Sequence, residues 1–157
     1  MLCEFSNNAV QTINPGESAI FTTTEIPCNR GFVRHREGTG SFLLAGVVRN
    51  TGCNCPCCRN KGADYLVEFG ANIAIPTDGT VGEISVAISV DGSTVPSSQM
   101  IATPAAVEQY WNIGVAKSVD VFRGCCESIS IRNTSDQPIL MQNANLIISR
   151  PDLNVTY

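Results

Sequence analysis

The chain has 157 residues, of which 43% are hydrophobic and 15% are charged, and its formal net charge is −4 at pH 7. This length supports one hydrophobic core and argues against two, so we expect a single domain over residues 1–157, with 1–8 and 151–157 as extensions. The low, acidic charge argues against a nucleic-acid-binding protein, because affinity for phosphates comes from clustered Lys and Arg.

Hydrophobic residues alternate with polar or small ones along most of the chain, which is typical of β-strands with one buried face. The only helix candidate is 103–111, where Val107, Tyr110 and Trp111 suit a strand as well, so extended structure or at most one helical turn is expected there. Many short strands separated by turns predict an antiparallel sandwich or barrel. The predicted strands are 18–26, 41–48, 64–75, 84–90, 112–122, 127–132 and 139–149.

The clearest alternation falls in the neighbouring segments 64–75 and 84–90, which are separated by the turn signature 76–79 (Pro-Thr-Asp-Gly). We predict that they form one long antiparallel hairpin. Phe69 and Ile88 lie on the apolar faces of its two arms, so both are expected to point into the core between the sheets. Their neighbours Glu68 and Ser89 are expected to face the other way.

Small residues occupy the second face of segment 84–90, namely Ser85, Ala87 and Ser89. One interpretation is a solvated outer face, or packing between sheets within one subunit. Another is a subunit interface, whose core is depleted of charge. The candidates for its apolar part are Met100, Tyr110, Trp111 and Phe122.

Four of the eight cysteines stand within six residues. Zinc is one interpretation, but structural zinc sites usually use two Cys-x-x-Cys pairs and this chain has one such spacing. Disulfides formed after release from a reducing cytoplasm are favoured, since an even count permits full pairing. The third interpretation is that the cysteines are free thiols, packed as small hydrophobic residues. The low-ranking zinc candidates are Cys53, Cys55, Cys57 and Cys58.

The disulfide candidates are Cys28, Cys125, Cys126, Cys53, Cys55, Cys57 and Cys58. Cys28 follows one predicted strand and Cys125 begins another, so Cys28 is expected to pair first with Cys125 or Cys126. Segment 51–60 is then expected to be a stapled surface loop.

Few other residues in the sequence indicate a catalytic or metal-binding site. His35 is the only histidine and is interpreted as structural or solvated rather than as half of a Cys–His nucleophilic pair. Five aspartates stand at strand ends, where Asp is a turn former, and calcium binding there is the minor alternative. No catalytic residue and no cofactor is predicted, so the chain is not expected to be an enzyme. The aspartates are Asp64, Asp78, Asp91, Asp120 and Asp136.

The first eight residues have neither the basic nor the apolar part of a signal peptide, and no apolar run approaches the roughly 20 residues that span a bilayer. We therefore expect synthesis in a cytoplasm and no membrane partner. Release by lysis or within a particle stays open.

The order of segments resembles the tumour-necrosis-factor-like jelly roll, on the runs 65–76, 82–92 and 138–150. The chain is similar to the trimeric heads of collagen-like spore-surface proteins, although it has no Gly-X-Y stalk. It resembles more closely small proteins encoded by phages and prophages of gut Firmicutes, which carry runs like 72–79 (Asn-Ile-Ala-Ile-Pro-Thr-Asp-Gly) and 123–126 (Arg-Gly-Cys-Cys). The resemblance covers about residues 9–150.

This resemblance implies an all-β, antiparallel jelly-roll sandwich that forms a homotrimer. It implies a structural virion protein, either a capsid decoration or a head-fibre protein, exposed on the virion surface. The expected partners are further copies of the chain and the major capsid protein or another virion component. The alternative is a receptor-binding or glycan-binding head of the same fold, which aromatic residues on exposed loops would favour.

Overall fold

The computed structural model describes residues 1–28, 31–46, 62–122 and 126–151. These residues form twelve β-strands and a short 3₁₀ helix at Pro96–Ser98, and they contain no helix capable of crossing a membrane. The strands are β1 (Leu2–Asn7), β2 (Gln11–Ile13), β3 (Thr23–Ile26), β4 (Val33–His35), β5 (Phe42–Ala45), β6 (Ala63–Ala74), β7 (Ile84–Val90), β8 (Ser93–Thr94), β9 (Met100–Ala102), β10 (Trp111–Val121), β11 (Cys126–Asn133) and β12 (Ile139–Ser149).

The strands form two antiparallel sheets. Sheet A has the order β10-β6-β12-β1-β3, with β2 also paired to β12. Sheet B has the order β4-β5-β11-β7-β8, with β9 also paired to β7. Strands that follow one another in the chain often lie in opposite sheets, as in a jelly roll. The predicted all-β jelly-roll sandwich is therefore confirmed.

Alternating side chains from both sheets fill one core. Phe69 of β6 and Ile88 of β7 are buried in it, each facing inward from its own sheet. Phenylalanine rings connect the sheets at one place: Phe42 of β5 lies 4.8 Å from Phe5 of β1 and 5.3 Å from Phe21, measured between ring centroids. Both pairs are edge-to-face, the arrangement that aromatic quadrupoles favour.

The predicted hairpin of 64–75 with 84–90 is wrong. β6 pairs with β10 and β12 in sheet A, whereas β7 pairs with β11, β8 and β9 in sheet B. Residues 75–83 therefore cross from one sheet to the other. A hairpin would leave both apolar faces on one side of one sheet, whereas the crossing places them on opposite sides of the core. Alternation indicates which face is buried, but it does not indicate the neighbouring strand.

The N-terminal residues are not an extension. β1 lies inside sheet A between β12 and β3, where Cys3 and Phe5 are buried. Six residues with only two buried apolar side chains are too short a pattern to stand out in the sequence. Of the other predicted extension, residues 152–157 lie outside the described residues.

Two other segments are less regular than predicted. In 18–26 only Thr23–Ile26 is a continuous strand, and Ser18 and Phe21 form isolated bridges. In 103–111 the chain makes turns before β10 begins, and no helix forms there.

The small-residue face of β7 is covered by its own chain. Ser89 is 0% exposed, and its hydroxyl has no hydrogen-bond partner within the described residues. Arg132, opposite Ala87 on β11, extends towards the β7–β8 turn and donates from Nη1 to the Gly92 carbonyl at 2.9 Å. Burial within one subunit is therefore the interpretation that holds for this face, and a solvated outer face is excluded at Ser89.

Truncating a core-facing side chain of β6 or β7 should lower the free energy of unfolding more than truncating a solvent-facing side chain of β6. Phe69→Ala should lower the free energy of unfolding by about 3–5 kcal/mol, and Ile88→Ala by about 2–5 kcal/mol, since each leaves a cavity in the core. Glu68→Ala, on the exposed face next to Phe69, should change it by no more than about 0.5 kcal/mol. Urea unfolding of the three variants measures this difference. An equal loss for Glu68→Ala and Phe69→Ala would contradict the strand register.

Candidate functional site

One disulfide joins the first strand to the end of β3. Cys3 and Cys28 are bonded, with their Cα atoms 4.9 Å apart. The expected pairing of Cys28 with Cys125 or Cys126 is therefore wrong. β3 lies beside β1 with Ile26 opposite Glu4, which brings Cys28 next to Cys3. Cys126 begins β11 in the other sheet, where its thiol is free and exposed.

The cysteine-rich stretch, with its candidates Cys53, Cys55, Cys57 and Cys58, lies outside the described residues, as does Cys125. Its zinc and disulfide interpretations therefore stay predictions. Within the described ranges, no group of three or more His, Cys, Asp or Glu side chains is arranged to hold a metal ion.

Of the predicted strand-end aspartates, Asp91 forms a turn. It has a positive φ of 47° in the β7–β8 turn, and its Oδ1 accepts from the Ser128 backbone N–H at 2.7 Å. Burial, and then the negative charges of Asp91 and Asp120, raise the pKa of Glu127.

His35 has a structural role, as the sequence suggested. Its ring stacks on Phe42 at 4.0 Å, with an angle of 11° between the planes. Its Nδ1 lies 3.0 Å from the Ser41 carbonyl oxygen and its Nε2 lies 3.3 Å from that of Phe21. Cys28 lines the same shallow cleft, but its sulfur is held in the disulfide and cannot act as a thiolate nucleophile.

The outer face of sheet A is flat and poor in bulky side chains near its β10 edge. Gly114 of β10 lies directly opposite Gly70 of β6, and Ala116 lies opposite Glu68. A Cβ added to Gly70 would meet only the Ile113 carbonyl oxygen, at 3.7 Å, which is an ordinary contact. Packing within the chain therefore does not explain a glycine at this strand position. We define the glycine face by the following residues of this outer surface: Leu66, Glu68, Gly70, Gly114, Ala116 and Ile147.

Of the four candidates for an apolar interface, one is buried in the core and three are exposed. Met100 is 6% exposed and belongs to the core, so it is not available to a partner. Tyr110, Trp111 and Phe122 are exposed by 37%, 44% and 76%. Tyr110 and Trp111 stand where β10 begins, together with an exposed Ile101 on β9, whereas Phe122 follows the far end of β10.

A crevice of about 280 Å³ lies between β9 and β10. It is lined by Met100, Ile113 and Val115, with Gln99, Ile101, Asn112 and Gly114, and Gly114 also belongs to the glycine face. We call it the edge crevice. No local sequence pattern predicts this crevice, because it depends on which strands lie at the edge of each sheet.

Sequence reasoning missed two features of these surfaces. Cys3 is absent from the predicted disulfide candidates, because the sequence predicts that residues 1–8 form an extension. The Gly70–Gly114 pair was missed because its members are far apart in the chain. The usable signal was a glycine inside each of two strongly alternating strands, which often marks close approach of another backbone.

The two sheets and the crossings between them define a jelly-roll domain of the tumour-necrosis-factor and C1q type. Three solved structures with this fold are similar over almost the whole chain. The globular domain of the zebrafish complement 1qA protein has a TM-score of 0.62 at 8% identity, covering 96% of each chain. Murine APRIL has a TM-score of 0.62 at 10% identity, covering 95% of this chain and 97% of its own.

The third, Eiger TNF from S. frugiperda, has a TM-score of 0.63 at 9% identity, covering 96% of this chain and 91% of its own. At these identities the likeness is one of fold alone. No protein-family model and no curated protein sequence matches the chain. The predicted tumour-necrosis-factor-like fold is thus confirmed.

Removing the disulfide should destabilise the domain. The bond closes a segment with a sequence separation of 25 residues, so the Cys3→Ala/Cys28→Ala variant should lose about 3 kcal/mol of unfolding free energy. Urea unfolding against the parent chain under oxidising conditions measures the loss. Cys126→Ala is the matched control and should change stability little, because this thiol is free and exposed. An equal loss in both variants would contradict the assignment of the bond.

Proposed function

We propose that the chain is a non-enzymatic, homotrimeric structural domain whose subunits associate through the glycine face of sheet A. The observation that carries this proposal is Gly70. Glycine weakens a strand, and no contact among the residues that the structure describes requires it at this position. Close approach of another subunit supplies the missing reason, because a side chain there would hold the two backbones apart.

The two outer sheet faces support the same choice. In sheet B, the small residues of β7 are already buried under their own chain. In sheet A, Gly114 and Ala116 are exposed, and Leu66 and Ile147 are half-buried on the same face. Aliphatic and small side chains are typical of an interface core, and Glu68, which lies between Ala116 and Ile147 on this face, would need a polar or cationic partner from the neighbouring subunit. The low charge of the whole chain agrees with burial of such a surface against copies of itself.

For the setting of the trimer, we propose a phage virion, as a capsid decoration or head-fibre protein on the particle surface. Synthesis would take place in the bacterial cytoplasm, and the major capsid protein or another virion component would be the partner. The support is the similarity of runs 72–79 and 123–126 to phage and prophage proteins, together with a fold suited to a compact surface domain.

A second candidate function is a receptor-binding or glycan-binding head of the same fold. The specific observation that favours it is the exposure of Tyr110 and Trp111 at the start of β10. Both functions are compatible with a trimer, and they differ in what the exposed edge contacts.

The assembly is tested by one charge placed on the glycine face. By sedimentation velocity at micromolar concentration, the parent chain should have three times the 16.8 kDa mass of one chain. Gly70→Glu should shift it to a monomer, because a buried unpaired carboxylate opposes association. Gly82→Glu is the matched control, since a Cβ at Gly82 meets nothing within 4 Å, and it should stay trimeric. A monomeric parent chain would refute the trimer.

The virion setting is tested on particles. Mass spectrometry of virions purified from a bacterial lysogen that encodes the chain should find it at a copy number that is a multiple of three. Its absence from purified particles, with the chain present in the lysate, would exclude a virion component.

A further inference from the structure

The shallow cleft beside His35 lies between the two sheets, on the side of the sandwich opposite β10. β3 ends sheet A there and β4 ends sheet B, and within the described residues no further strand pairs with the outer edge of either. The cleft has a volume of about 270 Å³. The buried side chains of Phe5 and Val33 form its inner part, and Thr24, Pro27 and His35 line its sides. We call it the side cleft.

The backbone of β4 directs hydrogen-bonding groups towards the side cleft. In an antiparallel pair, residues that bond the neighbouring strand alternate with residues whose N–H and C=O point away from it. The Phe32 carbonyl accepts from the Ala45 N–H at 2.9 Å, so the alternation makes Arg34 the next residue that bonds β5. Val33 and His35 therefore present their backbone groups at the free edge, with the spacing that one added strand requires.

Two arginines beside this edge have no partner among the described residues. Arg34 belongs to β4 and Arg36 follows it, and both are exposed and make no ion pair there. The carboxylate of the adjacent Glu37 accepts instead from the Thr24 hydroxyl, at 3.2 Å. A three-residue edge strand with exposed cations discourages pairing with a second copy of itself, because like charges would meet. The same cations favour a strand that carries a carboxylate.

These features together define the chemistry of a partner. The free backbone groups of Val33 and His35 require an extended backbone. On a strand added to β4, the residue beside Arg34 faces the same side as the guanidinium, and its two neighbours face the side cleft. The matching sequence pattern is therefore apolar–acidic–apolar. The cleft volume of about 270 Å³ lies just below the roughly 300–1,000 Å³ of small-molecule sites, which agrees with the insertion of a few side chains.

We propose that the free edge of β4 binds an extended segment of another protein by strand addition. A carboxylate of that segment pairs with Arg34, and the flanking apolar side chains enter the side cleft. Main-chain hydrogen bonds supply the affinity and the side chains supply the selectivity, as in other cases of strand addition. The inference goes beyond the proposed function, because it uses the edge of sheet A opposite β10 and requires neither the trimer nor the virion setting.

Synthetic peptides test this inference on the full chain. Four fluorescein-labelled peptides of the form Ser-Thr-X-Asp-X-Thr-Ser carry Val, Ile, Leu or Phe at both X positions, and a second set carries Lys in place of Asp. By fluorescence anisotropy with the chain at up to about 2 mM, at least one Asp peptide should bind with a Kd below about 1 mM. Its Lys counterpart should bind roughly fivefold more weakly, because a cross-strand attraction becomes a repulsion.

Charge reversal at Arg34 separates recognition from a folding defect. Arg34→Glu should reverse the preference, so that the Lys peptide binds roughly fivefold more tightly than the Asp peptide, a result that an unfolded chain cannot give. Thr94→Glu is the matched control, because it adds a carboxylate at an exposed position of β8, on the other edge of sheet B. This variant should keep the preference for Asp.

Amide hydrogen exchange tests the geometry of the complex. In NMR spectra of the chain saturated with the Asp peptide, the Val33 and His35 amides should exchange at least about tenfold more slowly than in the free chain. The Arg34 amide is the internal control, since it already faces β5, and its exchange rate should change less.

The inference would be overturned by the absence of saturable binding for every Asp peptide, by equal affinities for the Asp and Lys peptides, or by the same change of preference in Arg34→Glu and Thr94→Glu. Binding without slower exchange at Val33 and His35 would also contradict it. Slow exchange of both amides in the free chain would assign the edge to a second copy of the chain instead. A monomeric parent chain would refute the trimer and leave all these expectations unchanged.

Discussion

The contact between aromatic rings of the two sheets sets the position of β1, and the pairing of β3 and the disulfide both depend on that position. Phe42 of sheet B contacts Phe5 of sheet A, and it packs against Phe21 and His35 as well. Each such pair contributes about 0.5–1.5 kcal/mol beyond the burial of its area. Because Phe5 belongs to β1, this contact holds the first strand inside sheet A. β3 can then pair with β1, and only in that arrangement are Cys3 and Cys28 neighbours.

The outer faces of the two sheets differ in how far the chain itself covers their small residues. Sheet B covers its own small residues, and the Arg132 side chain bonded to the Gly92 carbonyl is part of that covering. Sheet A leaves Gly114 and Ala116 exposed next to Gly70. Glu68 lies on the same face of sheet A, opposite Ala116 and Ile147, so this face combines one exposed carboxylate with small and aliphatic side chains. The exposed small residues of sheet A, compared with the buried ones of sheet B, support the proposed subunit contact on sheet A.

Alternation along the chain predicted the strands well where a strand has one buried face. The last strand was predicted with its observed limits, Ile139–Ser149, and β10 within one residue at each end. The alternation did not predict which strands pair or which cysteines bond, because these contacts join residues that are distant in sequence. Nothing local in 84–90 indicates that its neighbours are β11 and β9 rather than β6, and nothing local at Cys28 indicates Cys3. The glycine pair and the edge crevice were unpredictable for the same reason, since each requires the pairing order of the sheets.

The described residues on either side of the cysteine-rich segment make close contacts with the rest of the fold. Before it, Ala45 lies opposite Cys126, and its carbonyl accepts from the Tyr65 hydroxyl at 2.6 Å. After it, a Cβ on Gly62 would collide with the Val121 carbonyl oxygen, so only glycine fits there. The buried Arg150 guanidinium lies over the Tyr65 ring, with 5.3 Å between its central carbon and the ring centroid. Since Tyr65 takes part in both contacts, this end of the core holds Ala45 in place through the Tyr65 hydroxyl.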